Sequence, residues 1–351
     1  MKRILALLAV CLLLAGCGTQ IPPVMVPPAI HTTLPPVPTA AETAPTNGVA
    51  YSEPTVPETV PPTTAETQPE TQPTVPEVTE PGPQTIYADP EDLELTARHA
   101  FVYDCTSGDV WIWGDMNAQI APASLVKLFT IHVAMDHLEP ETLITAGDEV
   151  YLVKSGSSVA GIRKGSQLTA AMLVEGCLIQ SGNDAAYVLA VAAGRKILGS
   201  DNASVTDALA AFMDRMNEEA AALGLNGTYY VNPDGFDAQG QHTCPADVLT
   251  VAKLSLADPL VMRYCGIDTD HVTFESGEDY IWYSTNFLLH PSLSCYCPEA
   301  FGLKTGTTDA AGAHLLAAFH APDRDLIIGV FGCPNKIARF EEARLLFALA
   351  K

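Results

Sequence analysis

Basic side chains are scarce in this sequence: 18 Lys and Arg stand against 41 Asp and Glu, giving a formal net charge of −23 over 351 residues. A chain so acidic has no electrostatic means of holding nucleic acid or an anionic membrane surface, so neither is expected as a charge-driven partner. Long apolar runs are also lacking. The run at residues 4–16 has 13 residues, whereas a helix crossing a bilayer needs about 20. There is no Gly-x-Ser-x-Gly elbow and no His-Glu-x-x-His pair, which leaves an α/β-hydrolase triad or a zincin site without an anchor. No glycine loop is built to cradle phosphate, and Cys295-x-Cys297 has no second close pair to complete a zinc site. Neither a metal nor a cofactor is expected.

What is present divides into three segments. Lys2 and Arg3 precede the apolar run, which ends in Leu14-Ala15-Gly16-Cys17, so residues 1–17 read as an export signal rather than a span. Residues 18–90 hold 18 of the 27 prolines, eight acids and no Lys or Arg, and show no hydrophobic period. Such a composition buries too little apolar area to offset the entropy of ordering, so a solvated tether is expected, reaching at most about 220 Å in polyproline II. Residues 91–351 carry 16 bases and 33 acids and read as one globular domain.

In that domain short β-rich runs enclose amphipathic helical stretches, predicting a mixed α/β (α+β) fold. Residues 100–103 and 110–113 flank Ser107-Gly108-Asp109 and predict a hairpin. Helices are predicted over 122–138, 169–179, 184–198, 205–223, 245–256 and 336–349, and strands over 301–305, 313–320 and 326–332. Strands at both ends imply one antiparallel sheet assembled from both termini, with the central helices forming a lobe and a cleft between lobe and sheet. Seven cysteines fall in the domain, an odd number that cannot all pair with one another. Cys177, on a predicted helix, reads as an apolar filler.

Three short motifs belong to that cleft. Ser124-Leu125-Val126-Lys127 sits at a predicted helix start, where residues three apart share a face and the first N–H groups are free to meet a developing oxyanion. Ser181-Gly182-Asn183 lies between two helices, and Lys304-Thr305-Gly306 ends a strand that continues into Thr307. Each alone is ordinary: a chance spacing, a turn, a strand end.

Taken in order with their surroundings, the three resemble the signature of the penicillin-recognising serine enzymes, and within them the serine D-alanyl-D-alanine carboxypeptidases of the low-molecular-mass penicillin-binding proteins. The matching stretches are Pro122-Ala123-Ser124-Leu125-Val126-Lys127, Ile179-Gln180-Ser181-Gly182-Asn183-Asp184, and Gly302-Leu303-Lys304-Thr305-Gly306-Thr307-Thr308. Gly235-Phe236-Asp237 and the Gly156-Ser157-Ser158 turn also match, so the resemblance runs from about Arg98 to the end.

The resemblance implies a β-lactamase/transpeptidase-like fold and an acyl-enzyme mechanism. Ser124 would be the nucleophile and Lys127 its base, with Ser181 relaying a proton and Asn183 orienting Lys127 and substrate. Lys304, Thr305, Gly306 and Thr307 would bind the substrate's carboxylate side, and Lys304 would lower the pKa of Lys127 as a second cation. Arg339 resembles a family arginine near the carboxylate, although a solvated helix arginine fits that position equally well. The implied ligands are a peptidoglycan stem peptide ending in D-Ala-D-Ala and β-lactam antibiotics. Residues 14–17 resemble a bacterial lipobox, which implies lipidation at Cys17 and a membrane-anchored, extracytoplasmic protein facing the cell wall. Two other readings stay open. A class A β-lactamase-like hydrolase would need a Glu-x-x-x-Asn element that Glu218 and Glu219 do not supply; a non-catalytic peptidoglycan-binding module would have kept the cleft without its chemistry.

Overall fold

A computed structural model describes residues 82–87 and 93–351, all inside a unit spanning Pro76–Lys351. The signal segment, Cys17 and the tether up to residue 81 lie outside the described residues.

A six-stranded sheet organises the domain, in the order β1-β3-β2-β10-β9-β8. Strands β2 (His99–Asp104) and β3 (Val110–Trp113) form the predicted hairpin, closed over the Ser107-Gly108-Asp109 turn. Strands β8 (Ala300–Thr308), β9 (Gly312–His320) and β10 (Asp325–Cys333) return from the C-terminal end, and β10 pairs antiparallel with β2. The sheet is thus assembled from both termini. Strand β1 (Thr85–Tyr87) adds a parallel edge against Val110–Ile112, although those residues fall within the stretch read as tether. That reading rested on averaged composition, which three residues pairing with an existing edge cannot change; the tether boundary at residue 90 is therefore corrected to before Thr85.

The sheet is covered on both faces, so its strands read as unbroken apolar runs rather than alternations. Leu315, Ala317 and Phe319 of β9 pack with Leu326, Ile328 and Val330 against α7 (Ala338–Ala350), where Phe319 stacks on Phe347 at 4.7 Å between centroids. Leu316, Ala318, Ile327 and Phe331 point the other way into the larger core shared with the helical lobe.

The lobe comprises α1 (Val126–Met135), α2 (Ala170–Leu178), α3 (Asn183–Ile197), α4 (Val205–Ala222), α5 (Pro245–Ala257) and a short α6 (Pro259–Tyr264). Their starts follow local chemistry: Thr169 and Ser204 accept N–H groups of α2 and α4, and Pro245 takes the first position of α5. Helix α3 is buried continuously from Asn183 to Val191 and forms the centre of the lobe. Two small antiparallel pairs, β4 (Leu143–Thr145) with β5 (Gln167–Thr169) and β6 (Thr269–Thr273) with β7 (Asp279–Tyr283), lie outside the expected strands. The helix predicted from 122 opens instead with a 3₁₀ turn over Ala123–Leu125, then becomes α-helical from Val126 and ends at Met135.

Candidate active site

The 3₁₀ turn places Ser124 where the lobe meets β8. Ala123 just before it has φ +47°, a left-handed conformation that is uncommon without glycine. Two glycines permit the close packing around this turn. A side chain at Gly235 would lie 1.8 Å from the Ala123 carbonyl oxygen, and one at Gly306 would lie 3.0 Å from the Ala123 Cβ and 3.3 Å from the Ser124 nitrogen. The Ser124 turn is therefore wedged between the 232–236 loop and β8.

Lys127 follows one turn later, and its side chain is fully buried. Its Nζ lies 2.9 Å from Ser124 Oγ, 2.8 Å from Asn183 Oδ1 and 2.7 Å from the Asp234 carbonyl oxygen. Two of these partners are carbonyl oxygens that can only accept, so each takes an N–H. The third is a hydroxyl, which can donate to the lone pair of a neutral amine. Burial lowers the Lys127 pKa, against the raising influence of Asp234, Cys177 and Asp184.

Ser181 also has a left-handed backbone, φ +57°, in the link between α2 and α3. That link is held by Gly182 N–H donating to the Gly176 carbonyl and by Asn183 N–H donating to Ser158 at 2.8 Å. Asn183 opens α3, one residue earlier than predicted. Lys304 Nζ donates to Ser181 Oγ at 2.8 Å and to the Thr305 carbonyl at 3.0 Å, while the Thr305 and Thr285 hydroxyls are 2.6 Å apart. The pKa of Lys304 is driven well below its ordinary value by burial first, then by the Lys127 and Arg339 cations. Burial is the first cause for both lysines, and the repulsion between the two cations, being mutual, disfavours both being charged at once.

Arg339 is not a solvated helix arginine. It is 4% exposed, and its Nη1 donates to Thr307 Oγ1 at 3.0 Å, Gly306 O at 3.2 Å and His314 O at 3.3 Å. Burial brings its pKa down to about 10.

The structure gathers Ser124, Ser181, Asn183, Thr305, Thr307 and Arg339 around one cleft of about 690 Å³, with Lys127 and Lys304 bonded beneath it and Gly306 packed against the Ala123–Ser124 turn. Sequence reasoning missed Asp234 and Thr285, which reach the cleft from loops and carry no local pattern. The 155–158 loop, whose Gly156-Ser157-Ser158 turn is one of the stretches that carry the resemblance, also lines the cleft. Asp184, in the same stretch as Ser181, holds that loop by accepting the N–H groups of Ala160 and Ile162 at 2.7 and 2.8 Å. Cys177 is buried as expected, its thiol pushed up to about 12, and the seven described cysteines are all unpaired.

A sheet built from both chain ends, a helical lobe and a serine and lysine at their junction define the β-lactamase/transpeptidase-like fold class. A DD-transpeptidase of Streptomyces superposes with a TM-score of 0.64 at 21% identity, covering 73% of this chain and 98% of that one. A Listeria monocytogenes penicillin-binding protein, solved in its ampicillin-bound form, gives 0.58 at 24% identity, over 73% and 98%. The family model for D-alanyl-D-alanine carboxypeptidase matches residues 84–335, and the chain belongs to that family. The chain is similar to D-alanyl-D-alanine carboxypeptidase DacC of Escherichia coli, 29% identical over 269 residues that cover 73% of this chain and 61% of the relative. It spans about six-tenths of the length of such curated relatives.

Proposed function

We propose that the protein is a serine D-alanyl-D-alanine carboxypeptidase that removes the terminal D-alanine from peptidoglycan stem peptides and is acylated by penicillins. The observation that carries this reading is the contact of Lys127 Nζ with Ser124 Oγ at 2.9 Å, in a setting where the amine's other two partners are both carbonyl acceptors. Neutral Lys127 takes the Ser124 proton as Oγ attacks the carbonyl between the two D-alanines. The backbone N–H groups of Ser124 and Thr307 receive the oxyanion. Collapse of the tetrahedral adduct breaks the peptide bond; Ser181 gives its proton to the leaving amine and regains one from the protonated Lys127, so free D-alanine departs and the lysine is neutral again. Water, deprotonated by the same lysine, then hydrolyses the ester and restores Ser124. Asn183 orients Lys127 and the substrate amide. Lys304, Thr305, Thr307 and Arg339 form the carboxylate side of the cleft, and Gly306 lets the substrate backbone approach. Family membership and the ampicillin-bound structural relative support the acylation by β-lactams.

The test is incubation with a fluorescent penicillin and with a D-Ala-D-Ala peptide. A long-lived label on Ser124 and slow D-alanine release are expected, both lost in Ser124→Ala. Rapid penicillin turnover would assign the chain to the β-lactamases, and absence of both label and release would leave a binding module.

We further infer a lipoprotein form, anchored through Cys17 on the outer face of a membrane and facing the cell wall. The support is the Lys2-Arg3 start, the short apolar run and Leu14-Ala15-Gly16-Cys17. Two or more acyl chains, each contributing about 0.8 kcal/mol per buried CH₂, hold a protein stably on a bilayer. Incorporation of labelled fatty acid, abolished in Cys17→Ala, is the expected result; equal labelling of the variant would discard the anchor.

A further inference from the structure

Asp234 has no part in the steps above, yet it is 1% exposed and built into the wall of the cleft. Its loop is rigidly tied. Asn232 Oδ1 accepts the Gly235 N–H and Asn232 Nδ2 donates to the Phe236 carbonyl, both at 2.8 Å, while Thr130 Oγ1 donates to the Pro233 carbonyl at 2.7 Å. Both carboxylate oxygens of Asp234 face donors. Oδ1 accepts the Phe236 N–H at 3.1 Å, and Oδ2 accepts Asn183 Nδ2 at 2.7 Å. Burial pushes the Asp234 pKa up, but Lys127 and these two donors oppose it, and with a donor aimed at each oxygen the geometry favours the ionised form. Because Asn183 Nδ2 is committed to this carboxylate, its Oδ1 is turned to Lys127 Nζ, which also donates to the main-chain carbonyl of Asp234.

We propose that Asp234 is a positioning residue for the Ser124–Lys127 pair: it locks the Asn183 amide and places a fixed negative charge behind the lysine, setting the pH at which the serine becomes reactive. This rests on the acyl-transfer reading given above. The other groups facing Lys127 do not substitute for it. Asp184 on α3 is turned to the N–H groups of the 160–162 loop, Cys177 on α2 is a buried thiol, and Lys304 on β8 has the opposite sign; Tyr187 on α3 faces Asp234 itself. Among the influences that favour the protonated lysine, Asp234 is the largest.

The experiment measures the rate of Ser124 acylation by a fluorescent penicillin across pH for the wild type, Asp234→Asn and Asp234→Ser, with thermal unfolding as the folding check. Removing a nearby opposite charge shifts a pKa by about 1 to 3 units. The rising limb of the profile should therefore move down by about that much in both variants. Acylation below the limb should gain by up to about tenfold per unit, while the plateau falls because the lysine is a weaker base. Simple damage to the site would lower both regions and leave the limb in place. The smaller Asp234→Ser carries the test if the amide cannot be accommodated. A limb that stays put in a folded variant overturns the proposal; a wild type that takes no penicillin on Ser124 overturns the parent reading instead.

Discussion

Arg339 serves three acceptors with one nitrogen, and two of them, Gly306 O and Thr307 Oγ1, belong to the strand that walls the cleft. Hydrogen bonds from a charged donor contribute about 1.5–3 kcal/mol each, so Arg339→Met should cut kcat/KM for a carboxylate-terminated peptide by about 10- to 100-fold. An amidated peptide should lose less, and equal losses on both substrates would remove Arg339 from carboxylate recognition. His314 makes a second prediction at this scale. Fully buried, it has the Gly332 N–H on Nδ1 and the Ala121 carbonyl on Nε2, both at 2.9 Å, which fixes a neutral tautomer; burial pushes its pKa down to about 4. The unfolded chain binds this proton below its ordinary value of about 6.5 and the folded chain only below about 4, so stability is lost as pH falls through that window, by roughly 3 kcal/mol. Glu175, raised to about 8 by burial, works in the opposite sense, so the comparison has to be between proteins that both contain it. Urea unfolding near neutral pH and near pH ~4.5 should show a smaller acid penalty for His314→Gln than for the wild type. An identical penalty would assign the acid sensitivity elsewhere. The residues legible in the sequence were those with a local pattern, such as Ser124 and Lys127 one helical turn apart. Asp234 was illegible because its relation to the site exists only after segments 51 and 107 residues away have packed on it, and Thr285 because it meets Thr305, 20 residues on, across a loop rather than along one element.

Among the elements, the 232–236 loop and the 3₁₀ turn behave as one unit. Gly235→Ala would drive a Cβ to 1.8 Å from the Ala123 carbonyl oxygen while φ at 235 is +84°. Neither backbone can yield without moving Ser124. Overpacking and a strained left-handed residue together predict about 2–4 kcal/mol of destabilisation. Penicillin labelling of Ser124 should slow by more than the unfolded fraction accounts for, measured by denaturant titration alongside labelling rate. Normal labelling in a protein of normal stability would contradict the wedge. At this scale the sequence was readable where one period ran long enough. The helices at 205–222 and 245–257 and the three C-terminal strands fall within a few residues of their predicted bounds. The small strand pairs escaped because β4 and β5 offer only three residues each and β6 and β7 five. The 3₁₀ opening of α1 escaped because an alanine at positive φ is imposed by packing, against its own preference.

For the molecule as a whole, residues 91–351 hold 16 bases against 33 acids, and several of those bases are spent inside the fold. Self-repulsion of this kind is screened by salt over a Debye length of about 10 Å at 0.1 M. Raising ionic strength should therefore increase Tm and should speed capture of a carboxylate substrate, the reverse of the usual salt effect on opposite charges. Stopped-flow labelling at two salt concentrations checks it, and a slowing with salt would mean that the cleft's own cations govern the approach. Strand order gives the domain a mechanical polarity. β1 and β8, the strand that walls the cleft, occupy opposite edges, five strand spacings or about 24 Å apart. Tension entering ahead of Thr85 meets the two hydrogen bonds of Gln84, to Asp109 Oδ1 and from Val110 N–H, and then three residue pairs on β3. Those pairs act as a fuse: in single-molecule pulling from the N-terminal side, a small early release should precede the main rupture. The load that parts β1 leaves the Ser124 turn, on the far side of the sheet, still assembled.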